Sequence, residues 1–178
     1  LLLVDDQRQE APVHGARSLP VLRAQGIHHR LERLGEGEAG HEAVRAALQG
    51  ASVVIYMGHG NGWPSPYRDS LYPPTQNGFG LNPSADGNDY DHQYFGEAAI
   101  ASQVNLARDA VVLLNHLCYA SGNSEPGVAE GSLDTAKQRV DNFAAGFIKA
   151  GASAVIADAY ASPTAADHPE NLFTLLAS

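Results

Sequence analysis

Two side chains in this sequence are able to act together on a carbonyl group: His59 and Cys118. Cys118 is the chain's one cysteine, so its thiol has no disulfide partner within the chain. The reactive form of cysteine is the thiolate, and a nearby imidazole promotes or stabilises it. Each residue follows a strongly apolar run. Ala51-Ser52-Val53-Val54-Ile55-Tyr56-Met57 leads through Gly58 to His59, and Ala110-Val111-Val112-Leu113-Leu114-Asn115 leads through His116-Leu117 to Cys118. Such continuous, β-branched runs read as strands buried on both faces, as in a parallel sheet. In open α/β sheets, sites form beyond the carboxyl ends of the strands, near the switch in strand order. If these two strands pair, they lie about 4.8 Å apart, and imidazole and thiol project into one crevice. Gly58 and Gly60 are expected to let the chain turn sharply, with Gly60 leaving room for a substrate carbonyl against the backbone. The N–H groups of Gly60 and Cys118 are then candidate oxyanion donors.

The elements that must position this pair alternate in type. Residues 1–4 read as a buried strand stopped by Asp5-Asp6, 16–25 as a short helix in which Pro20 must sit in the first turn or break it, and 27–34 as an edge strand. His41 to Gly50 has a helical period and ends in Gly. The strand at 51–57 follows. Residues 63–94 are rich in Pro, Gly, Asn, Asp and Tyr and show no period, which predicts a functional loop or lid. A short helix falls within 95–107, a strand at 110–115 and a loop at 119–132. A helix at 134–150 presents Val140, Phe143, Ala144, Phe147 and Ile148 as its apolar face, closed by Gly151. A third strong strand spans 153–160, and 165–177 start a last helix. The alternation predicts an α/β fold with a mostly parallel sheet flanked by helices on both faces, a three-layer sandwich. No internal repeat or interdomain linker divides the chain, so residues 1–178 read as a single domain.

Bulk properties narrow the function classes. A length of 178 residues with 44% hydrophobic content suits one domain with a real core. The net charge of −9, from 20 acidic and 11 basic residues, argues against nucleic acid as a partner and is compatible with a basic peptide or a cation. No apolar run reaches the ~18 residues of a membrane span. The chain opens without Met on Leu1-Leu2-Leu3-Val4, which suggests a piece processed or excised from a longer chain. Secretion and a cytoplasmic location both stay open, as does the oligomeric state.

Other residues invite chemistry of their own. In an extended strand end, His116 and Cys118 face the same side. With His59 they make a His/His/Cys set suited to zinc, although a packing role for His116 is the simpler reading. Asp5, Asp6 and Asp158 stand at strand ends bordering the same crevice. A carboxylate there, Asp6 first, selects a basic substrate side chain or else caps a turn. Asn82 to Asp91 faintly resembles a calcium loop, but Gln93 stands where the bidentate Glu belongs, and a plain Asn/Asp/Gly turn fits as well. Trp63, Tyr67, Tyr72 and Phe79 line a peptide groove or anchor the long loop. Gly58-His59-Gly60-Asn61-Gly62 lacks both the third Gly of a dinucleotide fingerprint and the Lys of a P-loop.

Taken together, the strand ending in Met57-Gly58-His59-Gly60, the strand ending in Asn115-His116-Leu117-Cys118 and the segment Phe143 to Ala157 resemble the caspase-like cysteine peptidases, a group that includes metacaspases, legumain, gingipains, clostripain and bacterial CHAT domains. The likeness runs over residues 1–160. It departs at Leu117, where the family usually has a small residue, and at Ser121, where many members have Gly and this chain has Gly122 one place later. The resemblance implies a caspase-like α/β domain that hydrolyses peptide bonds, with His59 as general acid/base, Cys118 as nucleophile and no cofactor. The residues themselves leave two alternatives open: a catalytically inactive binding or scaffold domain of the same fold, and a zinc-binding domain using His59, His116 and Cys118.

Overall fold

The computed structural model describes residues 2–5, 32–34, 40–81 and 92–158, the first two stretches as backbone. Its elements are β1 (Leu2–Asp5), β2 (Glu32–Leu34), α1 (His41–Leu48), β3 (Val53–Met57), β4 (Phe79–Leu81), β5 (Gln93–Phe95), α2 (Glu97–Gln103), β6 (Ala110–Asn115), α3 (Leu133–Lys149) and β7 (Ala152–Ala157). Five strands form one sheet in the order β2-β1-β3-β6-β7, and every pairing within it is parallel. The fold is therefore α/β with a parallel sheet. Strand order changes direction between β1 and β3, one strand away from the β3/β6 junction where His59 and Cys118 emerge.

Side-chain alternation divides the sheet into two faces. Val54 and Tyr56 of β3 and Val112 and Leu114 of β6 join Val44 and Leu48 of α1, Ile100 of α2, and Phe143 and Phe147 of α3 in one core. Ile55 and Leu113 are buried on the opposite face. Burial of the β3 residues Val54 to Met57 follows from the β-branched run, since a central parallel strand has no solvent face. The three described helices thus pack on one face. The helices expected at 16–25 and 165–177, on which the sandwich's second layer depends, lie outside the described residues, as do 27–31, 159 and 160.

Two expectations change. The span 63–94 is not irregular throughout: Phe79–Leu81 pairs antiparallel with Gln93–Phe95. Strands of three residues are too short for a period to show in sequence. The buried face of α3 is also shifted from the one expected, although Phe143 and Phe147 are buried as expected. Val140 and Ile148 are exposed, at 42% and 49%, and the buried stripe is Arg139, Phe143, Gly146 and Phe147. The apolar count misplaced the stripe because it passed over an arginine and a glycine. The ends of α3 do follow the sequence. The Ser132 side chain accepts a hydrogen bond from Thr135 N–H at the N-cap, and Gly151 takes φ +112° just past the C-cap.

The contacts of that stripe carry the site. Tyr56 stacks edge-on to Phe79 (centroids 4.7 Å apart) and Phe79 to Phe147 (5.3 Å), an aromatic chain from sheet to β4 to α3. At Gly146, α3 comes so close to α2 that a Cβ would stand 2.9 Å from the Cα of Glu97. On an exposed helix, Gly→Ala gains about 1 kcal/mol of helix propensity. At Gly146 the overpacking against backbone costs about 1–3 kcal/mol, so Gly146→Ala is expected to lower the urea midpoint of unfolding. A raised midpoint would show that the two helices are not in contact there.

Candidate functional site

β3 and β6 run in register from Val53↔Val111 to Met57↔Asn115, so both strands stop at the same level of the sheet. The chain leaves β3 as Gly58-His59-Gly60-Asn61-Gly62 and crosses directly over the segment that follows β6. A Cβ on Gly60 would lie 2.3 Å from the carbonyl oxygen of Cys118 and 3.0 Å from its nitrogen, and one on Gly62 would lie 2.3 Å from the Tyr119 Cβ. Gly60 does not adopt a positive φ. Its missing side chain has a use beyond the turn and substrate approach expected, since it lets one loop backbone rest on the other. The pair of loops named in the sequence is therefore in contact through the residue after His59 and the cysteine itself.

Tyr56 fixes the far side of the His59 loop. Its hydroxyl accepts the Gly80 N–H (3.0 Å) and offers its proton to the carbonyls of Gly80 (2.7 Å) and His59 (3.1 Å). Asn77, at φ +64°, takes a left-handed conformation that Asn tolerates. Its N–H donates to the Asn61 carbonyl (2.7 Å), its Oδ1 accepts from Trp63 N–H (3.2 Å) and its Nδ2 donates to the buried Glu97 (3.2 Å). The loop is thus tied to β4 on one side and to α2 on the other.

On the cysteine side, backbone conformation departs from a strand immediately. His116 has φ +59° and Tyr119 φ +72°, a costly region for non-glycine residues that persists where surroundings enforce it. The left-handed turn at His116 removes the extended geometry that was to place His116 and Cys118 on one side. Leu117 is fully buried, as is Tyr119, which leaves the half-buried Cys118 between two core anchors. Gly122, at φ +90°, turns the chain back against Ala136 of α3.

One residue joins both loops. Arg139, 4% exposed, donates from Nε to the Pro64 carbonyl (2.8 Å) and from Nη1 to the carbonyls of Gly122 and Asn123 (both 3.1 Å) and to Ser124 Oγ (3.0 Å). Its guanidinium also lies over the Tyr119 ring, 4.8 Å from the centroid. Asn142, one turn on, donates to the Trp63 carbonyl (2.9 Å). Pro64 follows His59 by five residues, joined to Trp63 by a cis peptide, and Gly122 follows Cys118 by four. Sequence reading missed Arg139, yet a signal was present: it stands four and eight residues before Phe143 and Phe147, on their face of the helix.

The electrostatics are set by burial and by Glu125. Burial pushes the Cys118 thiol up to about 11, the Glu125 carboxylate adds to the rise, and the cysteine's own backbone N–H opposes it. Burial, then Glu125, raises Tyr119 as well. The Tyr67 hydroxyl donates a hydrogen bond to Glu125, which raises the phenol in turn. The thiol is therefore neutral at pH 7. His59 is exposed, and its imidazole lies against that of His92, with centroids 4.0 Å apart and planes tilted by 53°. His92, Glu125, Tyr67 and Tyr56 all belong to the surroundings of the pair; of these the sequence singled out Tyr67, as a groove or anchor residue of the long loop, and no local motif marked the roles of the others.

The remaining candidates are scattered. Trp63 is half-buried in the His59 loop, held by Asn77 and Asn142. The Asp158 N–H donates to the Leu114 carbonyl (2.8 Å), which places Asp158 at the carboxyl end of β7. Asp5 ends β1, with its backbone opposite Met57, and Asp6 and the calcium-like segment 82–91 lie outside the described residues. Among the described residues, no three His, Cys, Asp or Glu side chains gather to hold a metal ion, and His59, His116 and Cys118 form no such group. Nor does any helix there have the length and apolarity to cross a membrane.

Two outcomes are expected. Alkylation of native Cys118 by iodoacetamide should rise with pH up to about 11 and at pH 7 run roughly 100-fold slower than at an ordinary exposed thiol, because only the thiolate reacts. A midpoint near 8.5 would remove the buried, Glu125-facing thiol. Arg139→Lys should lose about 2–4 kcal/mol in chemical denaturation, because an ammonium cannot reproduce the guanidinium fork and leaves buried carbonyls unpaired. A loss under 0.5 kcal/mol would show that the two loops hold together without it. Compared with known proteins, the chain matches no family model, and no curated protein matches its sequence.

Proposed function

We propose that this chain is a caspase-like cysteine endopeptidase in which Cys118 is the nucleophile and His59 the general acid/base. The observation that carries this reading is the meeting of the two loops: β3 and β6 end in register, and Gly60 rests on the backbone of Cys118. That contact supports a single crevice with an imidazole on one rim and a thiol on the other, beyond the carboxyl ends of adjacent parallel strands.

In the proposed reaction, the thiol proton passes to His59 as Sγ bonds to the peptide carbonyl carbon. The N–H groups of Gly60 and Cys118 receive the developing oxyanion. His59 gives the proton to the leaving amine as the C–N bond breaks, which leaves a thioester on Cys118. Water then attacks the thioester, releases the acid and restores the thiol. A neutral resting thiol fits a mechanism in which the base acts during attack rather than before it. No metal is needed at any step. Asp158 and Trp63 remain candidates for substrate contacts at the rim.

The raised thiol also favours one other reading, a binding domain of the same fold without catalysis. Labelling by peptidyl electrophiles separates the two. A catalytic dyad predicts rapid, peptide-dependent labelling at Cys118, reduced about 10²–10⁴-fold by His59→Ala, the usual worth of a general acid/base. Labelling no faster than by a simple alkylating agent, and unchanged in His59→Ala, would leave the binding domain.

A further inference from the structure

The small sheet reaches His59 from the side away from Cys118. His59 makes an antiparallel bridge with Gly80 of β4, whose N–H donates to the His59 carbonyl (3.3 Å). Gly80 in turn pairs with Tyr94 of β5. His59, Gly80 and Tyr94 are therefore neighbours across three adjacent segments, with their side-chain positions on one face. Gly80 puts no side chain between the other two. A Cβ there would stand 2.9 Å from Cε1 of Tyr94 and 3.1 Å from Cβ of His59, so both residues border one small gap. His92 stands two residues before Tyr94, where strand alternation returns to the same face. Its half-buried imidazole lies against that of His59, with centroids 4.0 Å apart and planes tilted by 53°. The His59 carbonyl is held by Gly80 and Tyr56, but its side chain is exposed. A fixed backbone does not choose among side-chain rotamers, and His92 is placed to narrow that choice.

We propose that His92 is a positioning residue for His59, its ring packing on the His59 imidazole and holding it in the orientation that serves Cys118. This rests on the peptidase reading above and adds a residue to that site. His92 acts through His59 and touches no substrate. A general acid/base has to keep its nitrogen within hydrogen-bond reach of the proton it moves. A misplacement of about 1 Å at such a group costs up to roughly 100-fold in rate. A neighbouring ring restrains by contact area, so the role requires a planar side chain at 92 and not a second titrating group. The β4–β5 hairpin gains a use by the same contact. Gly80 of β4 holds the His59 carbonyl, and the residue that leads into β5 holds the imidazole.

The test joins peptidyl-electrophile labelling of the full chain to NMR of the His59 ring. His92→Ala is expected to slow peptide-dependent labelling of Cys118 about 10-fold. His92→Phe, which keeps a planar ring and cannot titrate, should restore most of the rate. The His59 ring protons should lose the ring-current shift of their neighbour in His92→Ala and keep one in His92→Phe. In both variants the iodoacetamide pH midpoint of Cys118 should stay in place, because neither touches the burial of the thiol or Glu125. A rate that His92→Phe does not restore, or a midpoint that moves, overturns positioning by ring contact. His59 resonances that are unmoved in His92→Ala overturn the contact itself. Labelling that is unchanged in His92→Ala while His59→Ala still slows it overturns this inference and leaves the dyad standing. The absence of His59-dependent labelling in the wild type overturns the dyad, and this inference with it.

Discussion

The site depends on a buried charge. A guanidinium removed from water costs several kcal/mol unless its donors are satisfied, and Arg139, at 4% exposure, meets four oxygens, none of them a carboxylate. Those oxygens belong to two segments far apart in sequence, Pro64 in one and Gly122 to Ser124 in the other. Neither loop can move alone without stranding part of the charge. The arrangement is therefore close to all-or-none: the two loops are placed together or the cation is left uncompensated. A hydrophobic residue at 139 would fill the space but hold no carbonyls, and the loops would lose their common anchor.

Around that anchor the glycines act through absence of volume. Gly60 and Gly62 let the His59 loop lie on Cys118 and Tyr119, and Gly146 lets α3, which carries Arg139, press on α2. These contacts are backbone against backbone or against Cβ, so no rotamer change relieves a substitution. Packing of α3 and alignment of the two loops are consequently one problem. The aromatic series Tyr56, Phe79 and Phe147 extends it to the sheet, because the hydroxyl at one end of that series is the group that holds the His59 carbonyl.

Sequence made the sheet legible and the loops largely not. The runs Val53–Met57 and Ala110–Asn115 could be placed because central parallel strands are apolar on both faces, and their pairing set His59 and Cys118 at one level. Strands β4 and β5 stayed hidden because three residues carry no period. Arg139 was hidden by its charge, which reads as a solvent position unless the helical stripe through Phe143 and Phe147 is given priority. His116 misled because spacing arguments assume regular backbone, and its φ of +59° ends the strand geometry two residues too early. Glu125 and His92 reach the site through tertiary folding alone, which a local pattern does not report.

The contacts that position the cysteine also oppose its reactivity. Leu117 and Tyr119 bury their side chains on either side of it, and the His59 loop covers its backbone. The same loss of water pushes the thiol up to about 11, since desolvation disfavours the charged form. Rigidity of placement and ease of ionisation thus pull in opposite directions at one residue. Loosening the loops to admit water would lower the thiol but give up the contact of Gly60 with the backbone of Cys118. The structure keeps that contact, and in the proposed reaction ionisation is supplied at the moment of attack, by the base that accepts the proton. A thiol held this way meets small electrophiles in its neutral, unreactive form, so the burial that fixes its place is also what sets its resting chemistry.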